Sequence, residues 1–414
     1  MKTRKKNNII YLAVVLFAAL FLYVGNTVAS DGWGFGYGGD GFYTAEARVT
    51  AILDVTETWH TEWISDVQFT FEAVVTRGAY RNTAVTATQV VASYFAIQPN
   101  EVAEGDRVVL VFAYGEWHFL DHVRINTVLV LGAVFAALLL LFGRMKGFNA
   151  ILSLGFTCAA IFAVFLPSIL SGRNIYASAV AVCVYSVVVT LFIVNGVNKK
   201  SLAAVAGCLG GIITAALLTL AMGAALRLTG MVSRDFEALL FLPTENPIDL
   251  NAVIFAGIII GAVGAVMDVA VSIASALWEL KARAPGLPFS GFLKSGINIG
   301  RDIMSSMTNT LVLAYIGGSL SVILLLLVYT DSFTDLLNRE LVIVELLKAI
   351  IGGMGILLTM PLTALACAAM YSSRGEPCET DEMEEYLAAL GRSLGGADAL
   401  RGEEDGKEEE KGGN

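Results

Sequence analysis

Apolar residues run through most of this chain in long unbroken stretches separated by short polar breaks. A stretch that crosses the hydrocarbon core of a bilayer, about 30 Å, needs roughly 20 residues at about 1.5 Å each. Residues 9–25, 126–142, 148–170, 175–195, 201–226, 251–278, 303–328 and 341–370 reach or approach that length, which predicts eight transmembrane helices. The first also fits a signal peptide, because Lys2, Arg4, Lys5 and Lys6 precede an apolar run that ends in Thr27-Val28-Ala29-Ser30. Its apolar core is long for that purpose, which favours an uncleaved anchor.

The pattern changes between the first two apolar stretches. A glycine-aromatic linker, Gly32-Trp33-Gly34-Phe35-Gly36-Tyr37-Gly38-Gly39, leads into short segments rich in Val, Thr and Phe at 48–54, 67–75, 84–92 and 107–113. Arg77-Gly78 and Glu104-Gly105-Asp106 punctuate them. Such spacing predicts a small antiparallel, barrel-like β domain. Its tryptophans Trp59, Trp63 and Trp117 read either as core packing, the commoner use, or as a membrane-interface or binding surface. The expected order is an N-terminal membrane anchor or signal peptide at 1–25, a linker at 26–44, an extracytoplasmic β-rich domain at 45–125, a seven-helix transmembrane domain at 126–370 and an acidic tail at 371–414. The fold class is thus an all-α polytopic membrane protein of about eight helices with a small exported β-rich domain.

Three of the apolar stretches carry polar residues at helical spacing. In the sixth, Gly257, Gly261, Gly264, Asp268, Ser272, Ser275 and Glu279 advance by four, three, four, four, three and four, so they share one face. The glycines form a seam for close helix approach, and the lower half is polar. A carboxylate near the middle of a span costs on the order of 2.5–3.5 kcal/mol on insertion scales, so Asp268 reads as an ion- or proton-binding group or as hydrogen-bonding glue between helices. In the seventh stretch Asn298, Asp302, Ser305 and Asn309 repeat the design. Asp302 also fits a helix-start position near the dipole, whereas Asn309 lies too deep for capping. In the eighth, Glu345, Lys348, Gly352, Gly355 and Thr359 share a face, Glu345 can pair with Lys348, and Pro361 is placed to kink the helix or free a carbonyl. Three one-sided polar stripes predict a shared hydrated cavity, in which Asp268, Ser272, Ser275, Asp302, Ser305, Asn309, Glu345 and Lys348 line a solute or ion pathway. Gly257, Gly261, Gly264, Gly352 and Gly355 serve helix packing.

Composition agrees with lipid as the solvent: 56% of the 414 residues are hydrophobic and 15% charged, against about 25% charged in soluble domains. The net charge of -10 is concentrated in the tail from Glu376 onward, whose carboxylates beside glycines read as a solvated, disordered segment. Lysine and arginine fall at Lys2–Lys6, Arg144, Lys146, Lys199, Lys200, Lys281, Arg283, Lys294, Arg301 and Arg374, on one side of an eight-helix arrangement, and only Arg173, Arg227, Arg234 and Arg339 occupy the short loops on the other. The positive-inside rule then places both termini in the cytoplasm and the β domain outside a bacterial cell membrane. Four of five cysteines (Cys158, Cys183, Cys208, Cys367) lie in apolar runs and the fifth, Cys378, in the tail, so neither a disulfide framework nor structural zinc is expected. With three histidines, all in the N-terminal third, no metal site and no cofactor is expected.

The stretch Gly261-Ala262-Val263-Gly264-Ala265-Val266-Met267-Asp268-Val269-Ala270-Val271-Ser272-Ile273-Ala274-Ser275 resembles the signature of the YibE/F-like family of bacterial membrane proteins. So do Ile299-Gly300-Arg301-Asp302-Ile303-Met304 and Met307-Thr308-Asn309-Thr310-Leu311-Val312-Leu313-Ala314-Tyr315. The likeness covers most of 45–370, including the Gly105-Asp106-Arg107 turn and Glu345; a serine at Ser305 or Ser306 stands where the signature often has glycine. It implies an integral membrane protein and transfers no biochemical activity.

Transport is the first functional expectation: a permease-like protein, not an enzyme, that binds a small solute or ion between helices six, seven and eight. No GxxxxGK[ST] loop occurs, which excludes a nucleotide-driven pump. The alternative is a membrane-anchored binding or scaffold protein acting through its β domain. Third comes an intramembrane aspartyl-type hydrolase using Asp268 and Asp302, against which the absence of a GxGD pattern counts. Expected partners are membrane lipid and a small solute or ion, with no nucleic acid; homo-oligomer formation stays open.

Overall fold

A computed structural model describes residues 2–29, 43–61, 64–78, 80–92, 101–242, 247–328 and 332–372. The glycine-aromatic linker, Trp63, Cys378 and the acidic tail lie outside them. The chain divides into two compact units, Gly34–Phe148 and Met1–Trp33 with Asn149–Asn414. It is mostly helical, with several long apolar helices and a small β element, as a polytopic membrane protein requires.

The β element is a closed barrel of β1 (Tyr43–Thr61), β2 (Ile64–Arg77), β3 (Ala84–Ala92), β4 (Arg107–Ala113) and β5 (Glu116–His122), in the order β1-β2-β3-β5-β4. Strict alternation along β2 turns Phe69, Phe71, Ala73 and Val75 inward, where they meet Ala47, Val49, Ala87, Val108 and Leu110. The sequence predicts an antiparallel sheet and contains no signal for β5. Four of the five pairings are antiparallel, and β3 runs parallel to β5. The reason is parity: strands that alternate in direction cannot close a ring with an odd number of members, so one pair must run parallel. A tight turn with Tyr114 at φ 55° and Gly115 at φ 92° brings β5 back beside β4; a left-handed pair of this kind is what a two-residue hairpin connection needs. With its own closed core, this element is expected to fold alone. Residues 43–122 produced in soluble form should melt cooperatively with a strand-type circular dichroism spectrum, and a helical or gradual melt would refute it.

In the other unit α1 (Lys2–Ala29) lies beside α4 (Ile175–Asn195) and the π-helical turn Ile161–Phe165 that connects α2 (Ile125–Ala160) to α3 (Leu166–Leu170). Phe21 stacks on Tyr185 at 4.3 Å, Tyr185 donates to the Ala18 carbonyl and Ser171 to the Ala29 carbonyl. After α5 (Lys199–Ala225) and the short α6 (Arg234–Leu239), α7 (Leu250–Arg283) runs through the centre, packed on α4, α5, α8 (Phe289–Gly318) and α11 (Glu340–Tyr371). Between α8 and α11 come α9 (Leu320–Val328) and α10 (Phe333–Asn338). Helix starts are set by local chemistry: Asn174, Asn198 and Asp249 accept from the backbone N–H three residues on, at 2.9–3.1 Å.

The two helices expected at 126–142 and 148–170 are separated at Arg144, whose φ 48° and ψ -125° leave helical geometry. One span departs from its expected bounds. The seventh begins at Phe289 and breaks after Gly318, where α9 leaves α8 at 58°. Helix α11 passes through Pro361 without interruption. Among the described residues six helices are long and apolar enough to cross a membrane, or seven with the bent α8–α9 pair taken as one span.

Candidate functional site

The level of each polar residue follows from the contacts of the glycines between helices. On α8, Gly296 lies against Leu277 of α7 and Ala364 of α11, Gly300 against Ile273 and Met360, and Tyr315 reaches Gly261 and Gly352. Numbers rise along α8 as they fall along the other two, so α8 is antiparallel to both. Interpolation between the Gly300–Ile273 and Tyr315–Gly261 contacts places Asp268 opposite Ser305 and Ser306, with Asn309 on the next turn.

Sharing a level does not put these groups in contact. Asp268 stands on the exposed face of α7, opposite the buried Val266, Ala270 and Ile273, and makes no hydrogen bond or ion pair among the described residues. Gly257, Gly261 and Gly264 are exposed on the same face, and Ser272 and Ser275 are half-buried beside it. A methyl group placed on Gly257 or Gly264 would meet nothing within 4 Å, so no described helix covers that part of the seam. On α8, Asp302, Ser305 and Asn309 are also exposed, and the Ser305 hydroxyl donates to the Asp302 carbonyl at 3.4 Å.

The stripe on α11 divides in two. Gly352, Gly355 and Thr359 are buried, Gly355 against Ala215 and Val266 and Gly352 against Leu311, so this half is a packing seam. Glu345 and Lys348 are half-buried and paired, Nζ to Oε1 at 2.6 Å, and the Ser319 hydroxyl donates to the other carboxylate oxygen of Glu345. Ser319 is the residue at which α8 breaks from α9. Beside it the Tyr315 hydroxyl is buried without a partner, and a cavity of about 100 Å³ is bounded by Tyr315, Ser319 and Glu345 among apolar residues. The ion pair and the unsatisfied hydroxyl thus gather where α8 and α9 meet at 58°.

Tyr315, Ser319 and Glu340 carry weight that sequence reasoning missed. Gly317-Gly318-Ser319 inside an apolar run is a break signal legible in the chain. Glu340 fastens the start of α11 to the loop after α5, accepting from the backbone of Thr229 (2.8 Å) and Gly230 (2.6 Å) and from the Thr229 hydroxyl (2.7 Å). Gly230, at φ 85°, must be glycine there, since a methyl group would fall 2.4 Å from Leu250 Cβ. Among the described residues no three of His, Cys, Asp and Glu gather closely enough to hold a metal ion.

A family model described as YibE/F-like protein matches residues 131–373. No curated protein and no solved structure matches the chain.

Proposed function

The chain belongs to the YibE/F-like family, and from that premise we propose that it is a multi-pass cell-membrane protein that carries a small solute or ion along the polar faces of α7 and α8, past the broken α8–α9 span. The observation that carries this reading is the common level of Asp268 and Ser305 on two antiparallel spans, with Asn309 one turn on and Asp268 unpartnered among the described residues. A carboxylate placed there costs on the order of 2.5–3.5 kcal/mol on insertion, and no bond within the described chain offsets it. An ion, a proton or a hydrated solute supplies the missing partner. Glu345, Lys348 and Ser319 at the helix break form the second polar station. Ser272, Ser275 and Asp302 flank the route.

Eight crossings fit this reading. The break at Arg144 divides one of the six long helices into two, and the bent pair adds another. Contacts of α1 with α4 support its retention as an anchor. The lysine and arginine distribution then puts both termini in the cytoplasm and the barrel outside. Reporter fusions after Asn198 and Lys281 should register cytoplasm, and fusions after Arg81, Arg173 and Leu239 the outside. Reversal at any two of these positions would sink this topology.

The second reading, a binding or scaffold protein, is favoured by one feature of the barrel. Tyr43, Tyr80, Phe112 and Trp117 form a ring cluster with centroids 5.3–6.5 Å apart, and Trp59 is exposed on the long β1–β2 hairpin. The two readings separate in sealed proteoliposomes. Transport requires entry of protons, sodium, potassium or a metabolite above that of protein-free vesicles, with or without the barrel. Entry at the protein-free rate for every probe would leave only the binding role.

A further inference from the structure

A second cavity lies apart from this route, where α4, α5 and α7 meet at the end of the bundle that carries the C-terminus of α5. It measures about 320 Å³, and Leu220, Ile254, Phe255 and Leu347 give it apolar walls. Two polar groups interrupt them. Asn251 donates its amide N–H to the Leu228 carbonyl at 3.0 Å, and its own carbonyl oxygen is buried without a partner. Arg227 contributes to the rim and is exposed, with no acidic partner among the described residues.

The rim is built rather than incidental. Arg227 sits at φ 51°, a left-handed conformation that a long side chain rarely adopts, and it stays there because the residues after it are tied down. Asn251 holds Leu228, and the Glu340 carboxylate holds Thr229 and Gly230. Glu340, the carboxylate fastened to this loop, accepts from the backbone of Thr229 and Gly230 and from the Thr229 hydroxyl, and makes no ion pair with the Arg227 guanidinium among the described residues.

The required ligand chemistry follows from these groups. Arginine's planar fork matches phosphate, an unsatisfied buried carbonyl calls for a hydroxyl or amine donor, and the walls call for hydrocarbon. Leu220 and Ala224 on the rim are exposed, so the cavity opens along the apolar flank of α5, where a membrane lipid has access. We infer that this cavity binds an anionic glycerophospholipid, with its phosphate on Arg227, a head-group hydroxyl on the Asn251 carbonyl and an acyl chain along Leu220, Ile254 and Phe255. The inference is independent of transport.

The test uses the full chain, delipidated in a neutral detergent. Phosphatidylglycerol added in mixed micelles is expected to bind at least tenfold more tightly than phosphatidylcholine, read by native mass spectrometry and by a rise in the unfolding midpoint. Arg227→Gln should remove that preference, Arg227→Lys should keep part of it, and Leu220→Trp, at an exposed position, should block the chain groove without disturbing the fold. Equal binding of the two lipids, or a preference that survives both Arg227→Gln and Leu220→Trp, overturns the proposal. Soluble glycerol phosphate that protects as well as the lipid would show that the tail plays no part, and the lipid assignment would fall. If Arg227→Gln fails to fold, Leu220→Trp alone decides.

Discussion

Gly207→Ala is expected to destabilise the bundle strongly. A methyl group on Gly207 would fall 2.0 Å from Thr363 Oγ1 and 2.7 Å from Thr363 Cα, so the backbone of α11 itself must move. One turn away Gly211 meets Thr359 in the same manner, at 1.8 Å from Oγ1. Separation of α5 from α11 would loosen a seam that also engages Val266 of α7. Overpacking of a closely fitted interface costs about 3 kcal/mol, a large share of a typical folding free energy of about 5–15 kcal/mol. The unfolding midpoint in detergent should drop by about 6–12 °C. Gly264→Ala, where a methyl group meets nothing, and Gly355→Ala, where the nearest atoms are at 3.5 Å, are the controls and should melt like the parent chain. Adding Thr363→Ala to Gly207→Ala removes the hydroxyl collision and should recover part of the loss. Equal midpoints for Gly207→Ala and Gly264→Ala would show that α5 and α11 do not approach as described.

Asp268→Asn should abolish flux, by at least tenfold, while leaving expression and the detergent unfolding midpoint unchanged. An amide donates and accepts hydrogen bonds but cannot exchange a proton or balance a cation. Were Asp268 glue between helices, asparagine would serve, yet the structure gives the carboxylate no partner to glue among the described residues. The access route is checked separately. In a background without native cysteines, Ser305→Cys and Ser272→Cys should react with small water-soluble thiol reagents, and Val269→Cys, which is buried, should not. A fully active Asp268→Asn protein would remove the ground for a transport pathway at this site, whatever the labelling pattern.

The helical stripes were legible in the chain because period is a local property. Steps of three and four residues place Gly257, Gly261, Gly264 and Asp268 on one face wherever the helix sits, and that face is continuous in α7. The caps at Asn174, Asn198 and Asp249 are legible for the same reason: the bond closes within three residues. The existence of the apolar spans and of four of the five strands follows from apolar run length and turn residues, whereas the start of α8 at Phe289 and the strand β5 do not.

What covers each face was decided only by tertiary structure. The same spacing of glycines is buried on α11 at Gly352 and Gly355 and open on α7 at Gly257 and Gly264, and Gly207 and Gly211 of α5, a helix of hydrocarbon and small residues, meet Thr363 and Thr359 of α11. The parallel β3–β5 pair and the cavity rim at Arg227 belong with these. Periodicity is one-dimensional and states which residues look the same way. Whether they look at lipid, at another helix or at a ligand depends on partners far away in the chain, and the free energy of that choice is settled by close packing and ring closure that no local pattern encodes.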